Sequence, residues 1–79
     1  MICCNYIGHD ENTVTYAYGG YPADITGEIV FARDGSYFEI IKEPEKDQVY
    51  LRSIKLLYGK YKADFARGIF DKKISFESC

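Results

Sequence analysis

The stretch GEIVFARDGSYFEII, residues 27–41, constrains this chain more than any other. Asp34-Gly35 separates two runs rich in β-branched and aromatic residues. An Asp-Gly pair supplies the positive φ angles of a type I′ turn, whose twist matches paired strands. The turn predicts a register in which Arg33 faces Ser36, Ala32 faces Tyr37, Phe31 faces Phe38, Val30 faces Glu39 and Ile29 faces Ile40. Strand side chains alternate between faces. Ile29, Phe31, Phe38 and Ile40 therefore form one apolar face. Glu28, Val30, Ala32, Tyr37 and Glu39 form a mixed outer face.

The rest of the chain fits around this hairpin. ICCNYI and TVTYAY read as two earlier strands joined by the polar loop GHDEN. In the second, Val14, Tyr16 and Tyr18 share a face, and Thr13, Thr15 and Ala17 take the other. GGYPAD reads as a loop, punctuated by Gly19, Gly20 and Pro22. A helix is expected to start near EPEKD, with Pro44 in its first turn. Glu43, Glu45 and Asp47 would then sit at the positive end of the helix dipole. Gly68 ends it as a C′ residue after Arg67. At about 100° per residue, Tyr50, Leu51, Ile54, Leu57, Tyr58, Tyr61 and Phe65 fall on one core-facing stripe. A last strand, IFDKKISFE, turns Phe70, Ile74 and Phe76 inward, with Lys72 in the same phase.

The order β-β-β-β-α-β predicts an α+β fold: an antiparallel sheet of about five strands with one long helix packed on one face. Five strands at about 4.8 Å spacing are wider than one helix of roughly 10 Å, so apolar sheet surface is expected beyond the helix. Such surface marks interfaces. Symmetric dimers are the commonest way to cover it.

Length and composition agree with one small domain over residues 1–79. With 47% hydrophobic and 28% charged residues, the chain has the means to bury a core. No apolar run approaches the roughly 20 residues of a membrane span. The N-terminus lacks the basic and apolar regions of a signal peptide. Ile2 stands where a myristoylation signal needs Gly, and Cys79 is not four residues from the end as prenylation requires. Three cysteines are an odd set for a secreted disulfide scaffold. A cytoplasmic protein with no membrane partner is the expectation.

Charge is unevenly spread. Through residue 51, three basic residues stand against nine acidic ones, a net of −6. Residues 52–73 hold seven basic against two acidic, a net of +5. Most of those cations belong to the helix, on the side away from the core stripe. There Gly59, Ala63 and Ala66 follow one another at i, i+4 and i+7, beside Leu56. The candidate interaction face is Arg52, Lys55, Leu56, Gly59, Lys60, Lys62, Ala63, Ala66 and Arg67. The bland reading is a solvated face, since Lys, Arg and Ala are good helix formers. A mid-helix Gly, costing about 1 kcal/mol relative to Ala, invites a further reason.

Chemical motifs are weak. Cys3, Cys4, His9 and Asp10 resemble metal ligands by type, but adjacent strand residues diverge, and zinc sites favour C-x2-C spacing. The bland reading is one buried thiol, one exposed thiol and a surface His. Asp24 followed by Glu39-x-x-Lys42 approximates the Pro-Asp…Glu-x-Lys arrangement of metal-dependent nucleases. Period-2 alternation would set Glu39 and Lys42 on opposite sides. Gly19, Gly20 and Gly27 form no phosphate-cradling loop. His9 beside Asp10 has no paired nucleophile. The eight tyrosines lack the basic and aromatic pattern of an RNA-binding sheet. No cofactor is expected.

The function expected is therefore that of a small non-enzymatic interaction or accessory protein, self-associating as a homodimer or meeting an acidic protein. Nucleic acid or another anion on the basic helix is the alternative, ranked lower because the pI is about 5.3. A metal protein or enzyme using His9, Asp10 and the cysteines is the second alternative.

Overall fold

The computed structural model describes residues 1–77. Five strands form one antiparallel sheet: β1 (Ile2–His9), β2 (Thr13–Gly19), β3 (Gly27–Ala32), β4 (Phe38–Lys42) and β5 (Lys73–Phe76). One helix, α1 (Leu51–Ala66), lies between β4 and β5 in sequence, and Pro22–Asp24 makes a single 3-10 turn. The sheet order is β4-β3-β2-β1-β5. The α+β architecture read from the sequence is the one observed.

α1 covers the face on which Ile2, Cys4, Val14, Tyr16, Tyr18, Ile29, Phe31 and Ile74 are buried. Phe65 anchors it, with ring centroids 5.6 Å from Phe31 and 5.9 Å from Tyr16. The Tyr58 hydroxyl donates to the Ala32 carbonyl. Tyr16, fully buried, satisfies its hydroxyl on the Asp71 carbonyl at 2.8 Å. Both tyrosines thus bury their rings without orphaning a polar atom. The other sheet face carries Thr13, Thr15, Ala17, Glu28 and Val30, half-buried and without a covering helix. An antiparallel sheet with one solvated face is a stable arrangement.

The hairpin pairs as expected: Phe31 with Phe38, Val30 with Glu39, and Ile29 with Ile40. Its turn differs. Gly35 has φ +85°, but Asp34 does not share a positive φ, so the turn is not type I′. Instead the Gly35 N–H donates to the Ala32 carbonyl at 3.3 Å, and the Asp34 carboxylate accepts from the Ser36 N–H at 2.9 Å. The side chain of Asp34 does the work assigned to its backbone.

A bulge between the Glu28 and Ile29 pairs sets Lys42 opposite Glu28. Glu28 and Val30 share a face of β3, so Lys42 and Glu39, their partners, lie on one side of the sheet. The expectation that they oppose one another is overturned, because a bulge shifts the alternation by one residue. β1 also runs further than expected. It takes in Gly8 and His9 through a second irregularity after Tyr6, which leaves the β1–β2 turn to Asp10, Glu11 and Asn12.

The helix start is the largest correction. α1 begins at Leu51, not near Pro44. The N–H groups of Lys46 and Asp47 donate to the Asp24 carboxylate at 3.0 and 2.9 Å, and that of Glu45 to the Thr26 hydroxyl at 2.8 Å. These contacts hold 45–47 as a bent, non-helical strap. Tyr50 is therefore the N-cap and Leu51 the first helical residue, and they are 70% and 56% exposed rather than part of the core stripe. The stripe that packs is Ile54, Leu57, Tyr58 and Phe65, with Tyr61 partly buried.

The C-terminus of α1 is as expected. Gly68, at φ +76°, sits at C′. Its N–H donates to the Phe65 carbonyl at 3.1 Å, and that of Ile69 to the Asp64 carbonyl at 2.9 Å. That pair of bonds is the Schellman arrangement. No helix among the described residues is long and apolar enough to cross a membrane.

Candidate functional site

The nine residues Arg52, Lys55, Leu56, Gly59, Lys60, Lys62, Ala63, Ala66 and Arg67 are all exposed on the outer side of α1. Their helical phase explains this. At about 100° per residue, Arg52, Ala63 and Ala66 lie within about 40° of Gly59, on the side away from the buried Leu57 and Phe65. Lys55 and Lys62 form one rim of this lane, and Lys60 and Arg67 form the other, with Leu56 between. The lane is shallow: a Cβ added to Gly59 would meet nothing within 4 Å. From Arg52 to Arg67 it runs about 22 Å at about 1.5 Å per residue.

Among the described residues, the cations on this face have no ion-pair partner. Among the described residues the one ion pair is Lys42–Glu45 at 3.5 Å, in the strap region. Asp64, the only acid on α1, makes none. Lys60 instead places its Nζ 5.2 Å from the Tyr61 ring centroid. Five positive side chains on one helix face without counter-charges produce a local potential opposite in sign to the net charge.

Arg33 shows what a structural cation looks like here. Its Nε donates to the Phe65 carbonyl at 3.1 Å and its guanidinium to the carbonyls of Asp10 and Glu11 at 3.1 and 3.3 Å. It also lies 5.2 Å from the Phe70 ring centroid. Neither its place nor its partners were evident from the sequence.

The remaining candidates are scattered. The carboxylate of Asp10 accepts from the Asn12 and Thr13 N–H groups at 2.8 and 2.7 Å. These bonds stabilise the charged form and hold its carboxyl pKa below the usual range, the Asn12 bond foremost. It shapes the β1–β2 turn. His9 is exposed and shares a hydrogen bond with Tyr6, its Nδ1 2.6 Å from the hydroxyl oxygen. Its ring packs against Phe70 at a tilt of 33°, with centroids 4.4 Å apart. Asp24 is 1% exposed, and the N–H groups of the strap, that of Asp47 first, hold its carboxyl pKa below the usual range.

Cys3 and Cys4 do point to opposite faces, since Cys3 pairs with Gly19 and Cys4 with Tyr18. Both are buried, at 3% and 1% exposure, so the expected exposed thiol is corrected. Pro22 of the 3-10 turn and Ile25 just after it line one small cavity with Cys3 and Cys4. Burial pushes the Cys4 thiol up to about 12. Cys79 lies outside the described residues. Among those residues no three His, Cys, Asp or Glu side chains gather as a metal site would require.

No protein-family model matches the chain, and no curated protein or solved structure matches it. Sequence and geometry alone carry the functional argument.

Proposed function

We propose that this protein works by contact, docking an acidic segment of another protein along the outer face of α1. The observation that carries the reading is the row of exposed cations, Arg52, Lys55, Lys60, Lys62 and Arg67, with no counter-ion among the described residues. A partner that brings carboxylates to both rims gains favourable pairs and faster encounter. The lane of Gly59, Ala63 and Ala66 lets its backbone approach closely between them.

Protein is favoured over nucleic acid because the chain as a whole carries −2. Its acidic strands would repel the flanks of a long polyanion. Two copies meeting helix to helix are disfavoured for a related reason. An isologous contact would set Lys55, Lys60, Lys62 and Arg67 against their own equivalents. Self-association belongs elsewhere on the fold.

The test compares tagged wild-type protein with an R52E/K55E/K60E/K62E variant in native lysate, with and without nuclease. The expected result is a stoichiometric protein held by wild type, released by salt, indifferent to nuclease and lost with the variant. Nuclease-sensitive capture with a steep salt dependence would assign the face to nucleic acid instead. A partner held equally by both proteins would remove α1 from the account.

A further inference from the structure

We infer that the start of α1 binds a small monocarboxylate with an apolar chain, the carboxylate on the helix N-terminus and the chain in the cleft beside β5. The helix start lacks the partners such an end normally has. Its N-cap, Tyr50, makes no side-chain cap, and no acidic residue stands in the first turn. The N–H groups of Ser53 and Ile54 share the Tyr50 carbonyl, at 3.0 and 3.3 Å. Those of Leu51 and Arg52 have no acceptor among the described residues. The positive end of the helix dipole is thus left without a negative charge, and such ends bind anions.

A buried hydroxyl points to a ligand independently. Ser53 is 9% exposed, yet its Oγ makes no hydrogen bond among the described residues. No fully enclosed side-chain polar atom lacks a partner among those residues. The Ser53 oxygen therefore keeps a small opening, and Ser53 lines an open cleft of about 730 Å³. Buried polar groups in folded proteins are satisfied, so an idle hydroxyl walled in beside a cleft is a donor placed for what enters it. The volume lies within the range of small-molecule sites.

The donors suit a carboxylate. Arg52 also lines the cleft. Its guanidinium, the Leu51 and Arg52 N–H groups and the Ser53 hydroxyl can serve two oxygens that together accept about four bonds. The remaining wall is apolar: Met1, Leu56 and Phe76 line it, and Met1 is 48% and Leu56 40% exposed. An alkyl chain laid on them removes that surface from water. The exposed Glu77 lines the cleft too. Its charge opposes a dianion such as phosphate, whereas a single negative charge is matched by Arg52. The proposal stands without the acidic-partner reading, although Arg52 serves both.

Amide and methyl NMR spectra of the full chain, titrated with octanoate well below its micelle concentration, test it. Saturable shifts should centre on the Leu51, Arg52 and Ser53 amides and the Leu56 methyls. The dissociation constant should be on the order of 1 mM, as for a small ligand on an open site. Octanol, acetate and inorganic phosphate should each bind at least about fivefold more weakly. Ser53→Ala should weaken octanoate about fivefold. It should not lower the melting temperature, because the lost hydroxyl holds nothing in the protein and Ala favours a helix. Arg52→Gln should weaken octanoate about tenfold. A K55E/K60E/K62E variant strips the outer lane but keeps the cleft. It should bind octanoate within about threefold of wild type at about 0.15 M salt, which separates this site from capture of an acidic partner. Octanol binding as tightly as octanoate overturns the carboxylate site. Acetate or phosphate doing so overturns the apolar one. Absence of saturable shifts at these residues, or octanoate binding indifferent to both S53A and R52Q, overturns the proposal outright.

Discussion

The Nε of Arg33 donates to the carbonyl of Phe65 at 3.1 Å, tying the β3–β4 turn to the last turn of α1. The same guanidinium reaches the carbonyls of Asp10 and Glu11 in the β1–β2 turn. One side chain therefore fastens three segments that are far apart in sequence. Arg33→Ala should cost about 1–2 kcal/mol, the range for partly exposed charge-assisted hydrogen bonds. Arg33→Lys should recover less than half, because an ammonium lacks the planar fork. Urea unfolding of the three proteins measures both; full rescue by Lys would show that charge alone matters.

Asp24 makes the strap sensitive to acid. Its carboxyl is held below its usual range in the folded protein, chiefly by the Asp47 N–H. The unfolded chain therefore takes up the proton first as pH falls. The stabilising contribution is present above the unfolded value of about 3.9 and is lost as pH drops through the folded one. Asp24→Asn should be less stable than wild type at neutral pH, and the two melting curves should converge in acid. A gap that stays constant across the acid range would show that the charge of Asp24 is not what holds 45–47.

Two glycines should respond in opposite directions to alanine. Gly59 lies mid-helix with nothing near its missing Cβ, so Gly59→Ala should raise stability by about 1 kcal/mol. Gly19 is different: a Cβ there would sit 1.9 Å from the Asp24 carbonyl oxygen. Gly19→Ala must push the 3-10 turn off the sheet and should lower the melting temperature sharply. Thermal melts of both variants read this directly. If Gly59→Ala stabilises the protein yet weakens partner capture, the glycine is kept for contact.

Cys4 should be chemically silent until the protein opens. Burial raises its thiol to about 12, and only the thiolate reacts. Peptide mapping after iodoacetamide should find Cys4 unmodified in native buffer and fully modified in denaturant. Rapid native labelling would mean that the β1–β5 region opens readily.

Local signals were legible in the sequence, and tertiary ones were not. The hairpin register was readable from the alternation around Asp34-Gly35, because residues 29–40 specify it among themselves. The helix end was readable because Gly68 acts within its own turn. The helix start was not. Its position is decided by Asp24 and Thr26, about twenty residues upstream, whose side chains take the N–H groups that a longer helix would have used. The bulge at Lys42 left no local sign either, and with it went the faces of Glu39 and Lys42. The outer face of α1 could be listed residue by residue, since helical phase alone separates it from the core. That its cations lack ion-pair partners among the described residues needed coordinates.

The sheet order carries a consequence for synthesis. β1 through β4 form a meander of neighbours in sequence, whereas β5 returns across the molecule to pair with β1. A nascent chain can zip the meander early, but it holds β1 as a bare margin until residues 73–76 have left the ribosome. β5 is made well after the strand that it shields, so termination before it would release the meander with β1 as its uncovered edge.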